Sequence, residues 1–203
     1  MNKSGSRCSG LIIAWVIRCL REEIWRRRAH TEKSLALYEF DQPHEYGYVM
    51  DPGATGLARL AHLLHSLGYP DQALGTSLKA LAHARKLSQP FTLAWVLDSA
   101  AAMHARRGDF EEAETLWTEQ VGLCTERNFP SLLAAGTVGK IMAIVEQGRG
   151  REAISRIQEG RVAFPAADAK QEQMRYLIRL AFAYRKLRWL KEGLAVVTRH
   201  SSF

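Results

Sequence analysis

Four copies of one short pattern, forty residues apart, constrain what this chain can fold into more than any other feature. SLGYPDQAL from Ser66, RRGDFEEAE from Arg106, EQGRGREAI from Glu146 and KLRWLKEGL from Lys186 align without a gap. The turn positions are Gly68, Gly108, Gly148 and Arg188, each 40 residues from the last. Five residues after each turn stand Ala73, Ala113, Ala153 and Gly193. Seven before it stand Ala61, Ala101, Ile141 and Ala181, and four before it Leu64, His104, Ile144 and Tyr184. Small side chains recur where two helices must cross closely, and larger ones where space must be filled. A fixed period of this length marks a stacked array, whose units share one continuous core.

Each copy reads as two helices joined by a short turn. Leu93, Val96, Leu97, Ala100, Ala101 and His104 recur at helical spacing before Gly108, and Phe110, Ala113, Leu116, Trp117, Val121 and Cys124 after it. Pro52, Pro90 and Pro130 open first helices and Pro70 a second, at a position where the missing N–H costs nothing. Asp51 is placed to cap the helix that Pro52 opens. Glu111, Glu112 and Glu114 sit in a first turn, where the helix dipole favours them. No stretch alternates with period two, so almost no strand is expected. The expected fold is all-α, a superhelix of stacked antiparallel helix pairs of about 40 residues. Four repeats are assigned to 51–90, 91–130, 131–170 and 171–203. Residues 1–50 form an N-terminal helical segment, open to a reading as a degenerate or partial repeat.

Composition narrows the classes. With 47% hydrophobic and 24% charged residues over 203 positions, a wholly disordered or fibrous chain is excluded. The net charge of +7 is compatible with an anionic partner without demanding one. Residues 151–203 carry 11 basic and 5 acidic side chains, so most of the excess sits there. Cys8, Cys19 and Cys124 match neither a metal knuckle nor a disulfide framework, which points to a reducing, cytoplasmic setting. The run LIIAWVIRCL, Leu11 to Leu20, is half the ~20 residues of a spanning helix, and Arg18 interrupts it. REEIWRRR follows where a signal peptide would carry its cleavage site. Ile13, Ile17, Leu20 and Ile24 make this stretch an amphipathic helix beside Arg21, Arg26, Arg27 and Arg28. Packing on the array is the favoured reading, with contact to an anionic membrane surface and a non-native or frayed start as the alternatives, and no integral span is expected.

The glycine turn followed by a small residue at the helix crossing resembles the tetratricopeptide repeat, which implies a right-handed superhelix. That repeat is usually 34 residues long, and KLSQP and ERNFP, ending at Pro90 and Pro130, are the expected homes of the added length. The conventional Trp and Pro signature positions are not kept, so the version is divergent. DPGATGLARLAHLLHSLGYPDQAL, from Asp51, and CTERNFPSLLAAGTVGKIMAIVEQGRGREAI, from Cys124, also resemble the C-terminal repeat region of certain bacterial multidomain signalling proteins. In those, a class III adenylate or guanylate cyclase domain, or another effector, precedes a signal-transduction ATPase and the helical array. The resemblance runs from about Leu35 to about Val197 and concerns the repeat array alone. It implies a detached or truncated array and carries over neither catalytic activity.

No catalytic constellation emerges. GTVGK, Gly136 to Lys140, has two residues where a phosphate loop needs four, ends in Ile141 rather than Ser or Thr, and lies inside an expected helix. Gly136 and Gly139 read better as helix-packing glycines. His62 and His65 lie one turn apart, but two ligands do not make a metal site. Neither a metal nor a cofactor is expected, and the chain is read as no enzyme. Arg175, Arg179, Arg185, Lys186, Arg188 and Lys191 form a basic cluster interleaved with Tyr176, Phe182, Tyr184 and Trp189. Phosphate and stacking contacts are conceivable there, yet aromatic residues at helical spacing are more often core, and nucleic acid is not the favoured partner.

The favoured function is a non-catalytic interaction or sensory scaffold of a bacterial signalling protein. Its concave row of first helices would meet a protein or peptide, or the regulatory domains of a parent protein. By register that row contains His62, His65, Trp95, Asp98, Arg106, Met142, Glu146, Arg175, Phe182 and Arg185. Two alternatives stand beside it: a nucleic-acid-associated regulator using the basic flank, and a part of a longer cyclase or ATPase enzyme.

Overall fold

The computed structural model describes residues 22–40, 50–159, 181, 184–189, 191, 193–195 and 198. Helix α1 covers residues 22–36. It is followed by α2 (Pro52–Ser66), α3 (Pro70–Lys86), α4 (Pro90–Arg107), α5 (Phe110–Arg127), α6 (Pro130–Glu146) and α7 (Gly150–Glu159). Among the described residues there is no strand.

The turns repeat at the level of single hydrogen bonds. The amides of Gly68, Gly108, Gly148 and Arg188 donate to the carbonyls of His65, Ala105, Val145 and Arg185. The next residues, Tyr69, Asp109, Arg149 and Trp189, donate back to Leu64, His104, Ile144 and Tyr184. This closure requires a left-handed residue, and Gly68, Gly108 and Gly148 supply it at φ 88°, 88° and 77°. Arg188 takes the same conformation at φ 59°, so the fourth turn keeps its geometry without the glycine.

The helix starts follow the prolines. Pro52, Pro70, Pro90 and Pro130 occupy first-turn positions, and the Asp51 carboxylate accepts the Ala54 amide at 2.7 Å. Only residues 87–89 separate α3 from α4, and 128–129 separate α5 from α6. The length beyond a 34-residue unit therefore lies within the helices, not in KLSQP and ERNFP as expected. Helices of 17 and 18 residues extend the contact between neighbours instead.

The core runs through the crossings that the repeat marks. Ala61, Ala101 and Ile141 are buried, as are Ala73, Ala113 and Ala153. Ala54, Ala58, Ala80, Leu81, Ala84, Val96, Leu97 and Ala100 join α2, α3 and α4 into one cluster. Ala101, Ala113, Trp117 and Ala143 do the same for α4, α5 and α6. Ala102 and Ala105, both half-buried, pack against the edge of this second cluster. Ala113→Leu should destabilise the chain by about 1–3 kcal/mol through overpacking. Ala82→Leu, on the exposed face of α3, should change stability by less than about 0.5 kcal/mol. Urea midpoints compare the two, and equal midpoints would sink the assigned crossing.

A buried polar cluster ties the N-terminal segment to the array. Tyr38 Oη donates to Asp51 Oδ2 at 2.6 Å, and His83 Nε2 lies 3.4 Å from Asp51 Oδ1. The Asp51 amide donates to Thr92 Oγ1, whose hydroxyl donates to Gln89 Oε1. Gly53 and Gly56 leave room for the Tyr38 ring and for Leu35. Trp25 meets Tyr69 edge to face, so α1 lies antiparallel along α2.

Candidate functional site

Helix α4 packs along both α2 and α6, whereas α3 and α5 lie farther apart and are bridged by the Arg85–Glu119 ion pair. The first helices therefore form the tighter inner wall and the second helices the wider outer rim. Half-buried residues of the inner wall recur at the repeat's register: His62 on α2, Phe91, Trp95, Asp98 and Ala102 on α4, and Ala135 and Met142 on α6. Arg106 is exposed at the end of α4.

The structure joins some of the expected groove residues and separates others. His62 Nε2 lies 2.8 Å from Ser99 Oγ, and Arg106 Nη1 donates to His62 Nδ1 at 3.0 Å. Arg106 also reaches the Ala102 carbonyl one turn earlier. His65 is half-buried one turn along α2. Trp95 packs on the α2–α3–α4 cluster, and Met142 on the cluster of Ile141, Ile144, Val145 and Ala153. Asp98 is committed to α5, accepting the Trp117 indole N–H at 2.9 Å. Glu146 pairs with Lys186. Arg185 is exposed, and Arg175 and Phe182 lie outside the described residues.

The His62 contacts decide its chemistry. A guanidinium can only donate, so Nδ1 must be the acceptor and the ring proton sits on Nε2, directed at Ser99 Oγ. A serine nucleophile needs the opposite arrangement, with a lone pair on the facing nitrogen and a carboxylate behind the ring. This Ser–His pair is thus wired against hydroxyl activation. Burial, then the positive charge of Arg106 and the neighbouring His65, hold the imidazole down to about 4.

The glycines of GTVGK are packing glycines, as their spacing suggested. A side chain at Gly139 would enter the Trp117 ring, and one at Gly136 would meet Gln120 and Val121. The fully buried Cys124 lies one turn beyond Gln120 on α5. Burial, reinforced by the Asp98 carboxylate, pushes its thiol up to about 11. Cys124 should therefore resist a thiol reagent at about pH 8 in the folded chain and react on unfolding. Rapid labelling under native conditions would contradict that burial.

The basic flank divides on inspection. Arg185, Lys186, Arg188 and Lys191 are exposed and Trp189 partly so, but Tyr184 is buried against Gly193. Arg179 and Tyr176 lie outside the described residues, as do Cys8, Cys19 and the Leu11–Leu20 run. No helix among the described residues is long and apolar enough to cross a membrane, and none of their His, Cys, Asp and Glu side chains gather in a group of three able to hold a metal.

Register alone did not reveal Ser99, Phe91 or Trp117. Ser99 lies 37 residues after His62, off the 40-residue period, because the two helices are staggered by about a turn.

Stacked antiparallel pairs with glycine-closed turns and an inner wall of first helices define a tetratricopeptide-like array, an all-α right-handed superhelix. Solved structures bear this out at the level of fold. A Podosopora anserina putative kinesin light chain with nearly identical TPR-like repeats superposes with a TM-score of 0.61 at 16% identity, covering 90% of this chain and 92% of that one. A Rap protein complexed with Competence and Sporulation Factor gives 0.65 at 16% identity, over 89% of this chain and 50% of that one. BtubC (BKLC) from P. vanneervenii gives 0.51 at 16%, over 87% and 89%. No protein-family model matches the sequence, and no curated protein matches it.

Proposed function

We propose that the chain is a non-catalytic scaffold that binds a protein or peptide segment along the inner wall of α2, α4 and α6. The observation that carries this reading is the half-buried row of Phe91, Trp95, Ala102 and Met142, with His62 and Arg106 beside it. Those side chains offer apolar area and polar anchors on one rigid face, as a peptide groove requires. The likeness to a Rap protein complexed with Competence and Sporulation Factor supports a groove of this kind. The Ser99–His62–Arg106 arrangement supports the absence of catalysis.

The bacterial signalling context, with regulatory domains of a parent protein as partner, rests on the resemblance of the Asp51–Leu74 and Cys124–Ile154 strings. A neighbouring reading frame for a cyclase or ATPase would favour it. A cytoplasmic setting accords with the cysteine usage.

An array of random dodecapeptides tests the groove. Trp95→Ala and Met142→Glu should each abolish most binding, whereas Lys79→Glu on the outer α3 surface should leave it intact. Binding that survives both groove changes, or falls only with the outer one, would overturn the assignment.

A further inference from the structure

Helices α2, α4 and α6, which build the inner wall, carry two carboxylates between them, Asp98 and Glu146. Glu146 is neutralised by Lys186. Asp98 makes one hydrogen bond, through Oδ1, to the uncharged indole of Trp117, and among the described residues no cation pairs with it. Its second oxygen, Oδ2, accepts no proton from the protein and is not shut away from solvent. An indole N–H fixes the direction of a carboxylate without cancelling its charge. The indole is itself held, since Ala101, Ala113 and Ala143 enclose it and Gly139 of α6 lies against its ring. Asp98 is therefore a negative charge fixed in place on the groove wall, with one oxygen left to accept.

Its neighbours on the wall are apolar. Trp95 precedes Asp98 by three residues and Ala102 follows it by four, the spacings that put side chains on one helix face. Both are half-buried, as are Ala135 and Met142 on the neighbouring α6. Apolar surface displaces the water that would otherwise solvate an ion, so an opposite charge arriving there is held more strongly than in bulk water. A basic side chain answers both needs. Its methylene stem lies along apolar surface while its head group donates to the oxygen, and an aromatic face beside it adds attraction for the cation. We infer that Asp98 anchors a basic side chain of the bound peptide, an arginine or a lysine, with Trp95 and Ala102 along its stem. The inference rests on the groove reading above and adds a residue preference to it. The net charge of +7 repels a basic peptide overall, so a preference for one has to come from a local anion.

Two peptides titrated into the full chain test this, with NMR following the Trp117 indole N–H. One is acetyl-tetraarginine amide, and the other acetyl-tetracitrulline amide, in which a neutral urea replaces each guanidinium. The arginine peptide should bind at least about tenfold more tightly, as charge-assisted bonds allow, and should shift the indole resonance because the carboxylate behind it has gained a cation. Asp98→Asn keeps an oxygen for the indole and removes the charge, so it should erase most of the preference. Glu119→Gln, on the exposed surface of α5, should leave the preference unchanged. The comparison in the unaltered chain decides even where Asp98→Asn fails to fold. Equal affinity for the two peptides, no indole shift with the arginine peptide, or a preference that survives Asp98→Asn would each overturn the inference. A preference that falls as far with Glu119→Gln would do the same. Citrulline binding that is equally tight and lost in Asp98→Asn would assign Oδ2 to a peptide N–H, and that too overturns the anchor. If dodecapeptides still bind through Trp95 and Met142 in any of these cases, the basic-residue anchor falls and the groove stands.

Discussion

Gly139→Ala should destabilise the chain by about 3 kcal/mol, at the upper end of what overpacking costs. The added carbon would sit 2.5 Å from Trp117 Nε1 and 2.6 Å from Cδ2, distances no side chain tolerates. The indole has little room to retreat. Its N–H is held by Asp98, and its body is enclosed by Ala101, Ala113 and Ala143. The same substitution at Gly75 or Gly122 meets nothing within 4 Å. There alanine should stabilise by about 0.5–1 kcal/mol, the ordinary gain from removing glycine from a helix interior. Denaturant midpoints of the three variants thus separate helix propensity from close approach of α5 and α6. A Gly139→Ala midpoint that rises with the other two would refute the packing described here.

Acidification should cost the fold about 2–3 kcal/mol through His62 alone. Its imidazole titrates near 4 in the folded chain and near its ordinary 6.5 when unfolded. The unfolded chain therefore takes up the proton first. Above the unfolded value neither state binds it and the contribution is constant. As pH falls from 6.5 towards 4, stability is lost, and below 4 the loss is complete. Carboxylates and other histidines add their own slopes, so the difference between the chain and a His62→Gln variant isolates this one. Denaturation at about pH 7.5 and about pH 4.5 should show a smaller fall for the variant. Parallel falls would remove His62 from the account.

The repeat was legible because its positions are dictated one residue at a time. A left-handed turn favours glycine, and a close crossing admits only small side chains, so Gly108 and Ala113 announce themselves without neighbours. Arg188 was placed by register even though its identity argues against a turn, and it proved to hold the left-handed geometry. The groove was harder because its chemistry belongs to pairs. Trp95 and Asp98 share a face by periodicity, yet Asp98 is spoken for by an indole on the next helix. Ser99 matters only through an imidazole 37 residues earlier, and the Tyr38–Asp51–His83 cluster joins three segments with no common period.

An array whose inner helices touch while its outer ones stand apart is mechanically a leaf spring. Its inner edge is held by apolar packing, and its outer edge carries charged contacts. Across that edge α3 and α5 are linked by the exposed Arg85–Glu119 pair at 2.7 Å, a tether that salt screens. Raising the ionic strength should weaken that one tether while leaving the apolar contacts of the inner wall untouched.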